Sequence, residues 1–480
     1  MKLKTCLALI VCAVVAACGG TDNAAAPAEE ALSADALFDA AVEQMSAAYF
    51  HHVPEAATQL GISEDVVPGT STRMMDRSVE GNAARNAALE SALDGLEAID
   101  AGVLSPDRRR THAVLTTLFA GALGPSRVVD YGTTAGAWTL WYTPYPIIQH
   151  SGPTVDIPNF LGSQQPLENA EDAEVFLARL STVREALDGA LESYRHGVQQ
   201  GAIPPDFIVE KSLAVAKAFV EPEPGQNAIY LSFRERLESA EIADSEAYAD
   251  RALRIIDADV IPAYTRIVDY LDEIRATAPH EAGLWRLPNG EALYAAMIRH
   301  MTDFDLSADD IHQTGLAEVE RITRQMDGVL RSAGYTDGTV GERMQQLNVE
   351  ERFLFSNDNE GKEELLAYVR EQVAAMYEEL PNWFRQLPEY PVEVRMVPEF
   401  SQASAPMGYY NSPAPDGSRP GYHYINLRET ALHPSWTLPT LSIHEAVPGH
   451  HLDAATAIGL DVPRLAKALG SNTSGEGWAL

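Results

Sequence analysis

The stretch "TLPTLSIHEAVPGHHLD", Thr437 to Asp453, opens as an apolar helix and reaches the adjacent pair His444 and Glu445. In an H-E-x-x-H helix a second histidine stands one turn up on the same face. The two histidines then bind one metal ion, and the glutamate is turned towards its water. Here Pro448 occupies that place, and histidines follow only at 450 and 451. On an ideal helix His451 would lie two turns on, about 10 Å along the axis, too far to share a tetrahedral ion with His444. His450 would point to a different face. Pro448 removes a ladder hydrogen bond and clashes with the preceding turn, while Gly449 tolerates unusual dihedrals. Together they predict a bulged or kinked helix with two residues looped out. His450 then fills the empty place, with His451 as the alternative second ligand. The competing reading is a helix with satisfied, non-ligating histidines. Three histidines and a glutamate within eight residues, behind an apolar "LPTLSI", favour the metal site.

A catalytic zinc takes about three protein ligands and keeps one position open for water. Downstream, "LGSNTSGEGWAL" (469–480) offers Glu476 at a helix-like start, after room for one helix, a turn and a return. A solvated glutamate in the first turn of a helix, favoured by the macrodipole, is the competing reading of this residue. The cysteines restrict the ligand set further. All three, Cys6, Cys12 and Cys18, lie in the first 18 residues, so any metal site downstream must use histidine and carboxylate.

Those cysteines belong to a leader. "MKLKTCLALIVCAVVAACGG" has two lysines, an apolar run from Leu7 to Val15, and the box Val15-Ala16-Ala17-Cys18. This reads as a secretory signal peptide over 1–17 with lipidation at Cys18. The run is too short for a comfortable membrane span. Residues 18–33, small, polar and Pro-containing, read as a lipid-anchored linker. The mature chain then has no disulfide partner. Its only membrane contact is the N-terminal lipid in the bacterial cell envelope, and Gly19 after the cysteine points to the periplasmic face of the outer membrane.

Beyond residue 33 the pattern is mainly helical, with amphipathic stretches near 84–101, 107–122, 167–200, 226–240, 245–278, 290–302, 307–332 and 361–386. Two alternating segments, 390–400 and 421–427, predict short strands flanking a Ser-, Pro- and Gly-rich loop just before the His444 helix. The expectation is one large helical domain over 34–480. The formal net charge of −34 argues against nucleic acid as a partner, because phosphate binding needs clustered Lys and Arg. No G-x-S-x-G, P-loop or G-x-G-x-x-G occurs, so serine hydrolase and nucleotide chemistry have no support.

"HEAVPGHHL" (444–452) followed by "EGWAL" (476–480) resembles the signature of the domain-of-unknown-function 885 family, bacterial secreted proteins and lipoproteins grouped with gluzincin-type zinc metallopeptidases. "AAYFHHVPEAATQLG" (47–61), "EALYAAMIRHMTDFDLSADDIHQTGLAEVERI" (291–322) and "GYYNSPAPDGSRPGYHYINL" (408–427) are similar to the same family. The resemblance implies a mainly α, zincin-like peptidase domain with a small β-sheet beside the active-site cleft. It implies histidine ligands from His444 and the His450/His451 pair, Glu445 as base, Glu476 as third ligand, and Zn2+ as cofactor. In the family the "EGWAL" segment runs on into further helical chain. The sequence here stops at Leu480, so the domain is expected to be truncated at its C-terminus, with activity at risk in the chain as it stands.

The expected function is zinc-dependent peptide hydrolysis, oligopeptidase or carboxypeptidase-like, with a peptide as substrate. Tyr409, Tyr410, Tyr422 and His423 are the candidates for steadying the oxyanion or anchoring substrate. The alternative is a non-catalytic peptide-binding lipoprotein that retains the fold.

Overall fold

Local signals set the helices. Ser33 caps the Ala34–His52 helix by accepting from the Ala36 N–H, and Ser307 with Asp310 forms a capping box at Ala308–Ser332. Ser105 caps Pro106–Val128, whose proline takes the first helical position, where no N–H is needed. The computed structural model describes residues 32–135, 140–399, 402, 405–414, 417 and 419–480. The signal peptide, Cys18 and nearly all of the linker lie outside the described residues. Among those described, the chain is mainly helical with small sheets.

Three apolar clusters form the interior. The first helices, Ala34–His52, Val79–Glu97 and Pro106–Val128, close around Phe38, Phe50, Leu89, Leu115 and Phe119. A larger cluster joins the helices from Pro153–Ser163 through Ile261–Arg275, with stacked Phe176 and Phe233 near its centre. A third, smaller cluster packs the Asn359–Glu379 helix against a sheet and the segment that carries the histidines, through Leu365, Val369, Ile425, Leu438 and Leu452. The chain then crosses back, because Leu465 and Leu469 belong to the first cluster. The histidines therefore sit at the seam between two hydrophobic cores.

Two expected helices are divided. The stretch at 167–200 breaks between Ala170–Leu180 and Val183–Gln199, where the Thr182 hydroxyl accepts the distant Met74 N–H at 2.9 Å. The stretch at 245–278 carries a π turn at Ile256–Val260. Helices at Pro54–Gln59, Pro153–Ser163, Asp206–Val220 and Val340–Asn348 lie outside the expected stretches. The Ala308–Ser332 helix is largely uncovered, exposing Ile311, Leu316, Val319, Ile322 and Val329.

The strands are β1 (Thr133–Ala135), β2 (Trp141–Thr143), β3 (Val392–Met396), β4 (Gly408–Asn411) and β5 (Gly421–Ile425). β1 and β2 form a small antiparallel pair. The other sheet has the order β3-β5-β4, with β3 parallel and β4 antiparallel to β5. The loop expected between two strands thus contains a third, too short to show a period. Register pairs His423 with Val394 and with Tyr410. Alternation along β5 turns Gly421, His423 and Ile425 to the histidine helices, and Tyr422 and Tyr424 to the other face.

Candidate metal centre

The Leu438–Glu445 helix buries Leu438, Ser442 and Glu445, a spacing of four and three that makes one stripe. His444, about 100° around the helix, leaves that stripe and stays half-buried. The helix ends there. Ala446 departs to φ −104°, ψ −102°, and a new helix, His450–Gly459, begins four residues later. The expected bulge within one helix is therefore a full break between two. The turn, which includes a cis Val447–Pro448 bond, is held by the Gly449 N–H on the Ile443 carbonyl and the His451 N–H on the Ala446 carbonyl, both at 3.0 Å. A Cβ at position 449 would lie 2.0 Å from the His444 carbonyl oxygen, so only glycine fits.

This turn brings the Nε2 atoms of His444 and His450 to 3.1 Å. The third helix, Asn472–Ala479, is capped by Ser471, tied to the Met301 carbonyl by Thr473, and anchored by Trp478. The Trp478 indole N–H donates to the Pro448 carbonyl at 2.7 Å, which fixes this helix to the histidine turn itself. Glu476 Oε2 then lies 3.6 Å from His444 Nε2 and 3.8 Å from His450 Nε2. His444, His450 and Glu476 are the one group among the described residues whose donor atoms converge as a metal site requires.

His451 is turned away from this group. Its ring is fully buried, with Nε2 2.9 Å from the Tyr390 carbonyl and Nδ1 3.0 Å from the Tyr410 hydroxyl. A carbonyl only accepts, so Nε2 carries the proton and Nδ1 accepts from Tyr410. Both nitrogens are used within the fold. Gly421 makes room for this ring, since a Cβ there would meet Nδ1 at 2.7 Å. Trp478 and Tyr390 were not among the expected site residues, whereas His451 and Tyr410 were, as a possible ligand and an oxyanion candidate, and not as partners of each other. The one signal available was a tryptophan two residues after Glu476, whose N–H needs a partner when held against protein.

The four oxyanion candidates separate. Tyr410 borders an open cleft of about 550 Å3 beside His450. His423 faces the histidine helices but is fully buried. Tyr409 stacks on Tyr424, and Tyr422 lies under the Arg395 guanidinium at 3.9 Å, both on the far face of the sheet. Electrostatics set the protonation of the rest. Burial, helped by the nearby Glu476 carboxylate, pushes the Glu445 carboxyl up to about 7. Burial holds His450 below the usual histidine range, which Glu476 partly offsets, and this favours the neutral ring, with one lone-pair nitrogen to offer a metal.

A mainly helical protein with a two-helix histidine turn and a third helix supplying a carboxylate is the class these features define. The chain belongs to the DUF885 family: residues 54–480 match the family described as "Bacterial protein of unknown function (DUF885)". It is similar to a "putative lipoprotein" from Colwellia psychrerythraea, with 29% identity and a TM-score of 0.87 over 93% of this chain and 77% of that one. A "putative lipoprotein of unknown function" from Shewanella oneidensis shares the fold at a TM-score of 0.60 and 15% identity, over 94% of this chain and 76% of that one. No curated protein matches the chain.

Proposed function

We propose that the chain is a zinc-dependent peptide hydrolase of zincin type, with His444, His450 and Glu476 as ligands and Glu445 as general base. The separation of the three donor atoms carries this reading. Ligands about 2.0–2.1 Å from a tetrahedral zinc lie about 3.3 Å from one another. The three separations here, 3.1, 3.6 and 3.8 Å, bracket that edge. Two imidazoles and one carboxylate also suit zinc chemically. When bound, the ion would supply Lewis acidity, polarising a carbonyl and acidifying water.

The chain's own groups do the rest. Glu445 follows His444 directly, is buried, and has a proton affinity near neutrality, so its carboxylate takes the proton of the attacking water and returns it to the leaving amine. Tyr410 already donates to His451, so it positions that ring and walls the cleft, and it donates to an oxyanion only by releasing His451. Lipid anchoring is part of the same reading. It is supported by the Val15–Cys18 box and by neighbours described as lipoproteins. No helix among the described residues is long and apolar enough to cross a membrane.

The test is zinc stoichiometry together with hydrolysis of short peptides. About one zinc per chain, lost on Glu476→Ala, is expected. Glu445→Gln should keep the zinc and lower turnover about 100-fold or more. A protein that takes up no zinc after reconstitution yet binds peptide would replace this reading with a peptide-binding lipoprotein.

A further inference from the structure

The cleft beside His450 runs along one face of the His450–Gly459 helix, and its charges are unevenly arranged. Asp453 lines it one turn after His450, about 4.5 Å further along the axis. Its exposed carboxylate makes no hydrogen bond or salt bridge among the described residues, and the charge it senses is that of the neighbouring His450 ring. Asp303 adds a second carboxylate to the wall. The one lysine on the cleft, Lys467, comes from the short Arg464–Ala468 helix and reaches the far end of the His450–Gly459 helix, where its ammonium already donates to the Ile458 carbonyl at 3.0 Å. Between the two ends, the wall is apolar through Val114, Leu118 and Leu469. A free carboxylate close to the metal site, with the cation further off and occupied, gives the cleft a negative end where a reacting bond would lie.

We infer that this cleft seats the amino terminus of a short peptide, with Asp453 as counter-ion of the free α-ammonium group and the apolar wall taking the first side chain. The inference rests on the hydrolase reading for its direction, since the terminal residue's carbonyl would then face the His444–His450–Glu476 group. A charge-assisted ammonium–carboxylate contact spans about 2.8 Å. One helical turn between His450 and Asp453 leaves room for a single residue between the two contacts. The cleft volume of about 550 Å3 is that of a small-ligand site and suits one or two amino-acid residues. The formal charge of −34 on the chain favours a cationic group over an anionic one.

The probe is the tripeptide Leu-Ala-Ala, its N-acetylated form and its C-terminal amide. Each is titrated calorimetrically into the Glu445→Gln protein incubated with zinc, so that binding is read without turnover. Free Leu-Ala-Ala should bind at least 10-fold more tightly than the acetylated form. Asp453→Asn should narrow that ratio to within threefold while zinc per chain is unchanged. Equal binding of the free and acetylated peptides, or an undiminished ratio in Asp453→Asn, overturns the inference. So does a loss on amidation that Lys467→Met cancels, because the peptide would then lie the other way. Amine-dependent binding without hydrolysis by the unmodified protein would uphold this site and remove the hydrolase reading. Hydrolysis without amine preference would do the reverse.

Discussion

His423 shows how one buried residue couples the site to pH. It lies in the central strand, fully buried, and burial outweighs the contact with the Tyr409 backbone, lowering its pKa to about 4. The native ring stays neutral down to about pH 4, while the unfolded ring titrates near 6.5. Between those values the unfolded state binds more protons, so stability is full above 6.5 and falls as pH drops towards 4. At pH 5.0 this one residue removes about 2 kcal/mol. Urea unfolding at pH 7.5 and 5.0 should therefore show a loss about 2 kcal/mol larger in the parent protein than in His423→Gln. Buried His433 and His451 shift in the same direction, but both remain in the variant and cancel in the comparison.

At the scale of elements, the turn between Glu445 and His450 decides whether two histidines meet. Its one position without room for a side chain is Gly449, where a Cβ would also come within 2.4 Å of the Ile443 carbonyl oxygen. Gly449→Ala must open the turn and so spread His444 from His450. A cost of about 2 kcal/mol in stability is expected from the overpacking. Zinc affinity, read by chelator competition, should fall at least 10-fold. Gly459→Ala, on the same helix with nothing within 4 Å of its added Cβ, should leave both quantities within error of the parent. If the two variants behave alike, the turn is not what sets the histidine separation.

Across the whole molecule, buried arginines tie the N-terminal segment to the helical body. Arg179, fully buried in the Ala170–Leu180 helix, donates to Thr58 Oγ1 at 2.9 Å and also bonds Gln165 and the Thr70 carbonyl. Arg179→Ala would leave those acceptors buried and unmet, and should cost about 3 kcal/mol by chemical denaturation. Arg234→Ala removes an exposed helical pair with Glu238 and should leave the denaturation midpoint within error of the parent. Because the histidine segment is wedged between the N-terminal core and the smaller core around β5, the larger loss should also lower zinc retention at moderate urea.

The mainly helical character was legible in the sequence, because caps such as Ser33 and Ser307 and the period of the apolar residues are local. So was the disturbance at Pro448–Gly449, since neither residue continues a helix without cost. What followed from that disturbance was not local. A looped-out pair and a complete break have the same sequence. The Gly449 and His451 N–H groups bond carbonyls only six and five residues back, so the distant partner is Trp478, thirty residues on, donating to Pro448. The two adjacent histidines were likewise equivalent on paper. Tyr390 and Tyr410 distinguish them by engaging both nitrogens of His451, which leaves His450 free beside His444 and Glu476. Composition and spacing determined which residues were able to hold a metal ion. Only tertiary packing, which brings together hydrogen-bond partners far apart in the chain, decided which of them meet.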